Sequence, residues 1–349
     1  MTDSPGSLMA AEIAEQPAVL ARRLEDIADL EAAREQLSAA RPRFVLIAAR
    51  GTSDHAALYA KYLVEVRLGL PAGLVSPSAY TVHGARPDLH DVLFVAVSQS
   101  GGSPDLVDSL AVARECGALT LAVTNAPDSA LARGAALSVD VAAGAERAVA
   151  ATKTYTAELL ALQLLLSGAE AARDAAAVPE AAARTLELAD EQRMAAAAEA
   201  CAAERIVVTG RGYSYPSALE AALKLMETSY VSAQAFSGAD LMHGPMAMID
   251  SSVPTIAVVS PGRDGDAMAP VLERLGELGG PVVRVGSLPG ARPHGAAAAE
   301  LPIAAEGLAE HLHPILEILP LQRLALTLAL RRGVDPDRPR GLSKVTETR

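Results

Sequence analysis

Glu220, Lys224 and Glu227 stand at i, i+4 and i+7 in the stretch "PSALEAALKLMETSY". That spacing puts all three on one face of a helix whose other sides are mostly Ala, Leu and Met. A carboxylate beside an ammonium can work as a base, because burial raises its pKa toward neutrality while the neighbouring cation restrains the rise. The same stripe also fits a solvated face held by i,i+4 pairing, and the residues alone leave both readings open. A second constellation is "SQSGGSPD" at 98 to 105, set between "VLFVAV" and "LVDSLAVARECG". Ser98, Ser100 and Ser103 offer hydroxyls, and Gly101 and Gly102 permit the backbone twist of an anion nest. The helix that follows opens with unpaired amides and a partial positive charge. Capping by Ser103, with Pro104 in the first turn, accounts for one of these hydroxyls but not for three. The chemistry this loop suits is phosphate recognition.

Other phosphate loops do not fit. The chain has no Gly-Lys-Ser or Gly-Lys-Thr pair, and no glycine triad after its first strand with an acid downstream for a ribose. A compact phosphate on a small molecule fits better than a nucleotide.

The elements that must position these residues follow from hydropathy. Short apolar runs, Gly/Ser loops and helices with three-to-four spacing alternate along 349 residues, half of them hydrophobic. This predicts parallel sheets covered by helices in two domains. Strands are expected at 44–49, 92–97, 120–125 and 137–142, and again at 205–210, 255–260, 281–286 and 301–305. Long helices are expected in "ATKTYTAELLALQLLLSG" and "HPILEILPLQRLALTLALRR". An Ala/Glu-rich stretch interrupted by Pro179 reads as a helical linker. The expected partition is 1–170, a linker at 171–200, 201–333, and a tail at 334–349. The halves repeat each other: "VLIAARGTSDHAALYAKYLVE" lies on "IVVTGRGYSYPSALEAALKLME", with Arg50, Gly51 and Ser53 on Arg211, Gly212 and Ser214. The repeat has diverged in its next loop, where the second copy has Pro261, Arg263 and two aspartates. Only the first copy suits an anion.

A net charge of −12 with dispersed Lys and Arg argues against nucleic acid. Cys116 and Cys201 have no paired spacing for a disulfide or metal framework. No apolar run reaches the roughly 20 residues of a membrane span, and the acidic start is unlike a signal peptide. The expectation is a cytoplasmic protein with no membrane partner. His311 and His313, on alternate positions of a helix, do not share a face for a metal and read as structural.

Several ordered motifs carry a resemblance over nearly the whole chain: "ARGTS" (49 to 53), "SQSGGSPD", "ERAVAATKTYT" (146 to 156), "YPSALEAALKLMETSY" (215 to 230), "GADLMHGP" (238 to 245) and "GLSKVTE" near the end. They resemble the sugar isomerase (SIS) family, and closely the isomerase half of glucosamine-fructose-6-phosphate aminotransferase and its relatives acting on amino-sugar 6-phosphates. The resemblance implies two tandem SIS domains, each a doubly wound five-stranded parallel sheet of flavodoxin-like topology, in a homodimer with no metal or organic cofactor. It places Glu227 on the catalytic glutamate that moves a proton between C1 and C2 of the open-chain sugar, with Glu220 and Lys224 in the site beside it. His243 falls on a histidine that reaches in from the neighbouring subunit to open the sugar ring. Lys344 falls on a lysine of a tail folded over the substrate. Gly51, Thr52, Ser53, Ser98, Gln99, Ser100, Ser103, Val149 and Ala150 fall on the substrate-binding ring.

The chain also departs from that pattern. "VAATK" replaces "VASTK", so Ala151 removes a hydroxyl; Gly102 replaces an acidic residue; Asp240 and Met242 replace Glu and Lys. Only eight residues precede the "MAAEIAEQP" match, giving the expectation that no glutaminase domain is present and that glutamine is not the ammonia donor. The implied reaction begins with removal of the C2 proton of a ring-opened hexose 6-phosphate. It continues either to isomerisation and deamination of glucosamine 6-phosphate, or to loss of the 3-hydroxyl from the N-acetyl form. A noncatalytic sugar-phosphate sensor is a further reading, weakened by the presence of Glu227, His243 and Lys344 and by the lack of a basic recognition helix.

Overall fold

The computed structural model of the chain describes residues 4–168, 170–287 and 297–344. Two compact units are distinguished by their internal contacts. One comprises Ala18–Glu146, Lys153–Ala176 and, from the tail, Ser343 and Lys344; the other comprises the described part of Met1–Pro17, Arg147–Thr152 and Ala177–Leu342.

In the first of these, β1 (Phe44–Ala48), β2 (Ala72–Leu74), β3 (Val92–Ser98), β4 (Leu119–Thr124) and β5 (Leu137–Asp140) form an all-parallel sheet in the order β2-β1-β3-β4-β5. The other unit repeats the pattern with β6 (Arg205–Gly210), β7 (Ser232–Ser237), β8 (Thr255–Val258), β9 (Val282–Val285) and β10 (Ala299–Leu301), in the order β7-β6-β8-β9-β10. This is the flavodoxin-like, doubly wound order anticipated from the sequence. In it the winding reverses between the first and third strands of each repeat, and ligands of open α/β sheets lie at the carboxyl ends of the strands flanking that reversal. The loops there are 49–51 and 99–103 in one unit and 211–213 and 259–262 in the other.

The apolar runs of the central strands supply the cores, for instance Phe94 and Ala96 under Leu106 and Leu110, or Val207 and Ala257 against Leu241 and Leu275. Lys153–Leu166 is buried along its entire length, so its sequence is apolar all round apart from a few hydrogen-bonded polar groups. Three features differ from expectation. β2 and β7 were not foreseen as strands, because "AGL" is only three residues and "SAQAFS" lacks an apolar run; both are edge strands, paired on one side only. The strand expected at 301–305 lies instead at Ala299–Leu301, since Pro302 has no N–H to continue the ladder. Pro179 does not break a helix but occupies the first turn of Val178–Leu188, where its missing donor costs nothing.

Candidate active site

The loop after β1 ends in Gly51, whose φ of +56° is readily adopted only by glycine and whose missing side chain faces no atom within 4 Å. Thr52, half-buried, opens the helix Thr52–Leu63. Ser53 is buried, and its hydroxyl donates to Oε1 of the fully buried Glu158 at 2.8 Å. The proton of Ser53 is therefore committed inside the protein, leaving its oxygen to accept.

β3 ends in Ser98, whose Oγ accepts the Gly101 amide at 3.1 Å, while Ser100 Oγ accepts that of Gly102 at 3.3 Å. Gly101 has φ +57°, and a Cβ there would lie 2.1 Å from Ser129 Oγ, so no other residue fits. Ser103 enters the helix Pro104–Glu115 in an extended conformation, and its hydroxyl makes no cap hydrogen bond. The bland reading of Ser103 as a side-chain cap is thus not what is observed. Gln99, Ser100 and Ser103 are all half-buried, at the surface of the loop. Arg50 Nε donates to the buried Asp105 at 2.8 Å, tying the first loop to the start of that helix.

One residue of this unit escaped the sequence reading. The side chain of Glu146 is wholly buried; its Oε1 accepts the Thr154 amide at 3.1 Å, and its Oε2 accepts Gln99 Nε2 and, at 3.1 Å, Lys344 Nζ. An acid seven residues ahead of the helix Lys153–Leu166 was the only local signal. Its partners are 47 and 198 residues away, beyond any sequence periodicity.

In the other unit, Glu220, Lys224 and Glu227 lie as spaced on the helix Ser214–Ser229, which packs against His313–Arg331. The solvated-face reading fails, since Glu220 and Lys224 are buried, at 0% and 1% side-chain exposure, and only Glu227 reaches outward, at 22%. Lys224 Nζ lies 2.5 Å from Glu227 Oε2 and 3.4 Å from Glu220 Oε1. Burial alone would push the Lys224 ammonium down, but the two carboxylates outweigh it and hold its pKa above the ordinary lysine value. A charged lysine thus orients Glu227, whose open side can take a proton from a bound molecule.

The second unit's switch-point loops are built alike and filled differently. Gly212 repeats Gly51 with φ +54°, yet a Cβ there would fall 2.0 Å from Asp264 Oδ1. Asp264 Oδ2 accepts the Tyr213 amide at 2.8 Å, and Glu310 accepts the Asp264 amide at 2.7 Å. Ser214 and Ser217 each donate to the buried Glu317 at 2.6 Å, and Ser260 also donates to it. Ser214–Glu317 is the counterpart of Ser53–Glu158. In this copy the Asp264 carboxylate of the diverged loop lies against Gly212 and on the Tyr213 amide, so that place is taken by the protein itself.

Val149 is half-buried and Ala150 buried in Arg147–Thr152, a segment that belongs with the second unit; there the Ala148 amide donates to Glu12. His243 is exposed at the C-cap of Gly238–Met242, its amide bonded to Asp240 O at 3.0 Å. His311 and His313 are buried, and His311 lies tilted against Tyr213 at 6.2 Å between ring centroids. Among the described residues no cluster of three or more His, Cys, Asp or Glu could hold a metal, and no helix is long and apolar enough to cross a membrane. Both cysteines are free thiols.

Two parallel sheets with paired switch-point loops, one open and one self-filled, define a class. The chain belongs to the SIS domain family, whose model matches residues 38–168 and 200–300. Among curated relatives, the glutamine–fructose-6-phosphate aminotransferase [isomerizing] of Methanothermobacter thermautotrophicus is 34% identical over 341 residues, 96% of this chain and 56% of that protein. The namesake of Symbiobacterium thermophilum is 36% identical over 374 residues, 96% of this chain and 58% of that protein. The chain therefore spans little more than half the length of these relatives. Among solved structures, the C-terminal domain of glucosamine-fructose-6-phosphate aminotransferase from Francisella tularensis aligns with a TM-score of 0.83 at 26% identity, covering 97% of this chain and all of that one.

Proposed function

We propose that this chain is an amino-sugar 6-phosphate isomerase and deaminase that converts glucosamine 6-phosphate and water to fructose 6-phosphate and ammonia. The observation that carries the reading is the Lys224–Glu227 contact at 2.5 Å, at the outer end of an otherwise buried charged stripe. It is a base held in one orientation, on the family's catalytic position. The open loops around Gly51 and Gly101 support the phosphate assignment, because their self-filled counterpart holds a carboxylate on the same kind of helix-start amide.

In this reading Thr52, Ser98, Gln99, Ser100 and Ser103 bind the phosphate and sugar, with Gly51, Ser53 and the backbone of Val149 and Ala150 shaping the pocket. Glu227 takes the C2 proton of the ring-opened aldose, and the electron pair moves toward C1 to give an enolamine. Protonation at C1 leaves a C2 imine, whose hydrolysis releases ammonia and the ketose phosphate. Glu220 and Lys224 hold Glu227 in place. His243, supplied by the second subunit of a homodimer, opens the ring, and Lys344 serves the closed site. No cofactor is needed for these proton transfers, and the compartment proposed is the cytoplasm.

Elimination of the 3-hydroxyl from N-acetylglucosamine 6-phosphate is the second reading. It is favoured by Ala151, which brings a buried methyl where relatives have a hydroxyl. The two separate in deuterium oxide: glucosamine 6-phosphate should exchange its C2 hydrogen and release ammonia, whereas elimination gives an enone from the N-acetyl form. Exchange with neither substrate sinks both readings and leaves a sensor. Glu227→Gln should lower turnover by about 10²- to 10⁴-fold while phosphate binding persists; turnover near the parent level removes Glu227 from its role.

A further inference from the structure

Glu146 gathers three donors from three separate places: the phosphate loop through Gln99, the first turn of Lys153–Leu166 through Thr154, and the tail through Lys344. A carboxylate with no exposed side-chain surface keeps its charge only where such donors and a helix N-terminus compensate it. The Lys344 side chain, by contrast, is 28% exposed. A long, partly exposed ammonium side chain has many rotamers to lose before it takes one position. The more enclosed member of the pair is therefore Glu146, which offers Lys344 a fixed anchor.

We propose that Glu146 is the positioning residue that latches the tail, by fixing the Lys344 ammonium on the same carboxylate oxygen that takes the Gln99 amide. Sharing Oε2 places the tail lysine beside the loop assigned to phosphate, so that the lysine arrives with one reach and one direction. The catalytic part of this role rests on the proposed function. The latch itself does not.

The structural arm uses trypsin, which cleaves after Lys344, on parent and Glu146→Gln, with mass spectrometry following loss of residues 345–349. Cleavage after Arg340, whose guanidinium stacks on Tyr230 at 4.3 Å and whose amide donates to the Tyr230 hydroxyl, is the internal reference. The amide of the variant keeps its oxygen as acceptor for the Thr154 amide, while its NH2 replaces the oxygen shared by Gln99 and Lys344 and the charge that holds Lys344 is lost. Cleavage at Lys344 relative to Arg340 should rise about tenfold or more; an unchanged ratio in the folded variant overturns the latch. Should Glu146→Gln not fold, Lys344→Met reads the same contact from the other side. Faster amide exchange through residues 341–343 then supports the latch, and unchanged exchange overturns it. In the kinetic arm, Glu146→Gln should lower kcat at least tenfold with KM changed less than threefold, and parent-like kcat overturns the positioning role. Because the cleavage ratio needs no substrate, failure of the sugar-phosphate reading would leave it standing.

Discussion

Asp264 Oδ2 accepts the backbone amide of Tyr213 at 2.8 Å, so the second sheet's switch point carries a built-in anion. Burial raises the Asp264 pKa above 3.8; the Tyr213 amide lowers it, Glu310 and Glu317 raise it further, and Arg211 opposes them. For an acid whose folded pKa is raised, stability is greatest below the unfolded value, declines as pH climbs from there through the folded value, and then levels off. Asp264→Asn keeps an acceptor for Tyr213 and does not titrate. Its melting temperature relative to the parent should rise with pH across that window. A difference that is flat or falls with pH would show that the charge is not strained there.

Gly51 and Gly101 both have positive φ but differ in their neighbours. Gly51→Ala should cost roughly 1–3 kcal/mol for backbone strain alone, because its φ of +56° with ψ of −130° lies outside the left-handed helical region while nothing lies in the way of a Cβ. Gly101→Ala adds a methyl 2.1 Å from Ser129 Oγ and 2.5 Å from its Cβ. It should destabilise by roughly 2–4 kcal/mol and weaken phosphate binding as the loop shifts. Denaturant unfolding of the two variants side by side tests the order.

Lys224→Met removes the ammonium that pairs with the fully buried Glu220. Breaking a buried pair from one side typically costs about 3–5 kcal/mol. Unfolding at neutral pH should show a loss of that size together with loss of turnover. Lys224→Met with a parent-like melting point would mean the carboxylates find other compensation.

Ser100 and Ser103 contribute hydroxyls that the fold uses little, a 3.3 Å acceptance from Gly102 in one case and no cap bond in the other. The double change Ser100→Ala with Ser103→Ala should therefore leave the melting temperature nearly unchanged. If each hydroxyl donates to a phosphate dianion at about 1.5 kcal/mol or more, KM should rise on the order of a hundredfold with little change in kcat. Titration of the variant with inorganic phosphate gives the same comparison without turnover.

How much of this could be read in advance depended on the range of the interaction. The central strands showed in "VLFVAV" and "RIVVTG" because both of their faces are buried, whereas "AGL" and "SAQAFS" sit at sheet edges and carry no such run. The repeat was legible down to Gly51 and Gly212, since a positive φ restricts the residue type. The stripe of Glu220, Lys224 and Glu227 was visible as a stripe, but whether water or protein covered it depended on Pro314 to Ala329, a hundred residues on. Glu146 and Glu317 were invisible for the same reason: each is defined by donors that only the folded chain assembles. The diverged loop, by contrast, declared itself through its aspartates.

Glu317 has a consequence for how such a protein can change over generations. Its one carboxylate ties Ser214 and Ser217, at the head of the helix that carries Glu227, to Ser260 and to the helix His313–Arg331. That knot secures the helix of Glu227, the base we propose, without involving a single residue of the loop from Ser98 to Ser103. Mutation can therefore reshape that loop while the footing of the Glu227 helix is inherited intact.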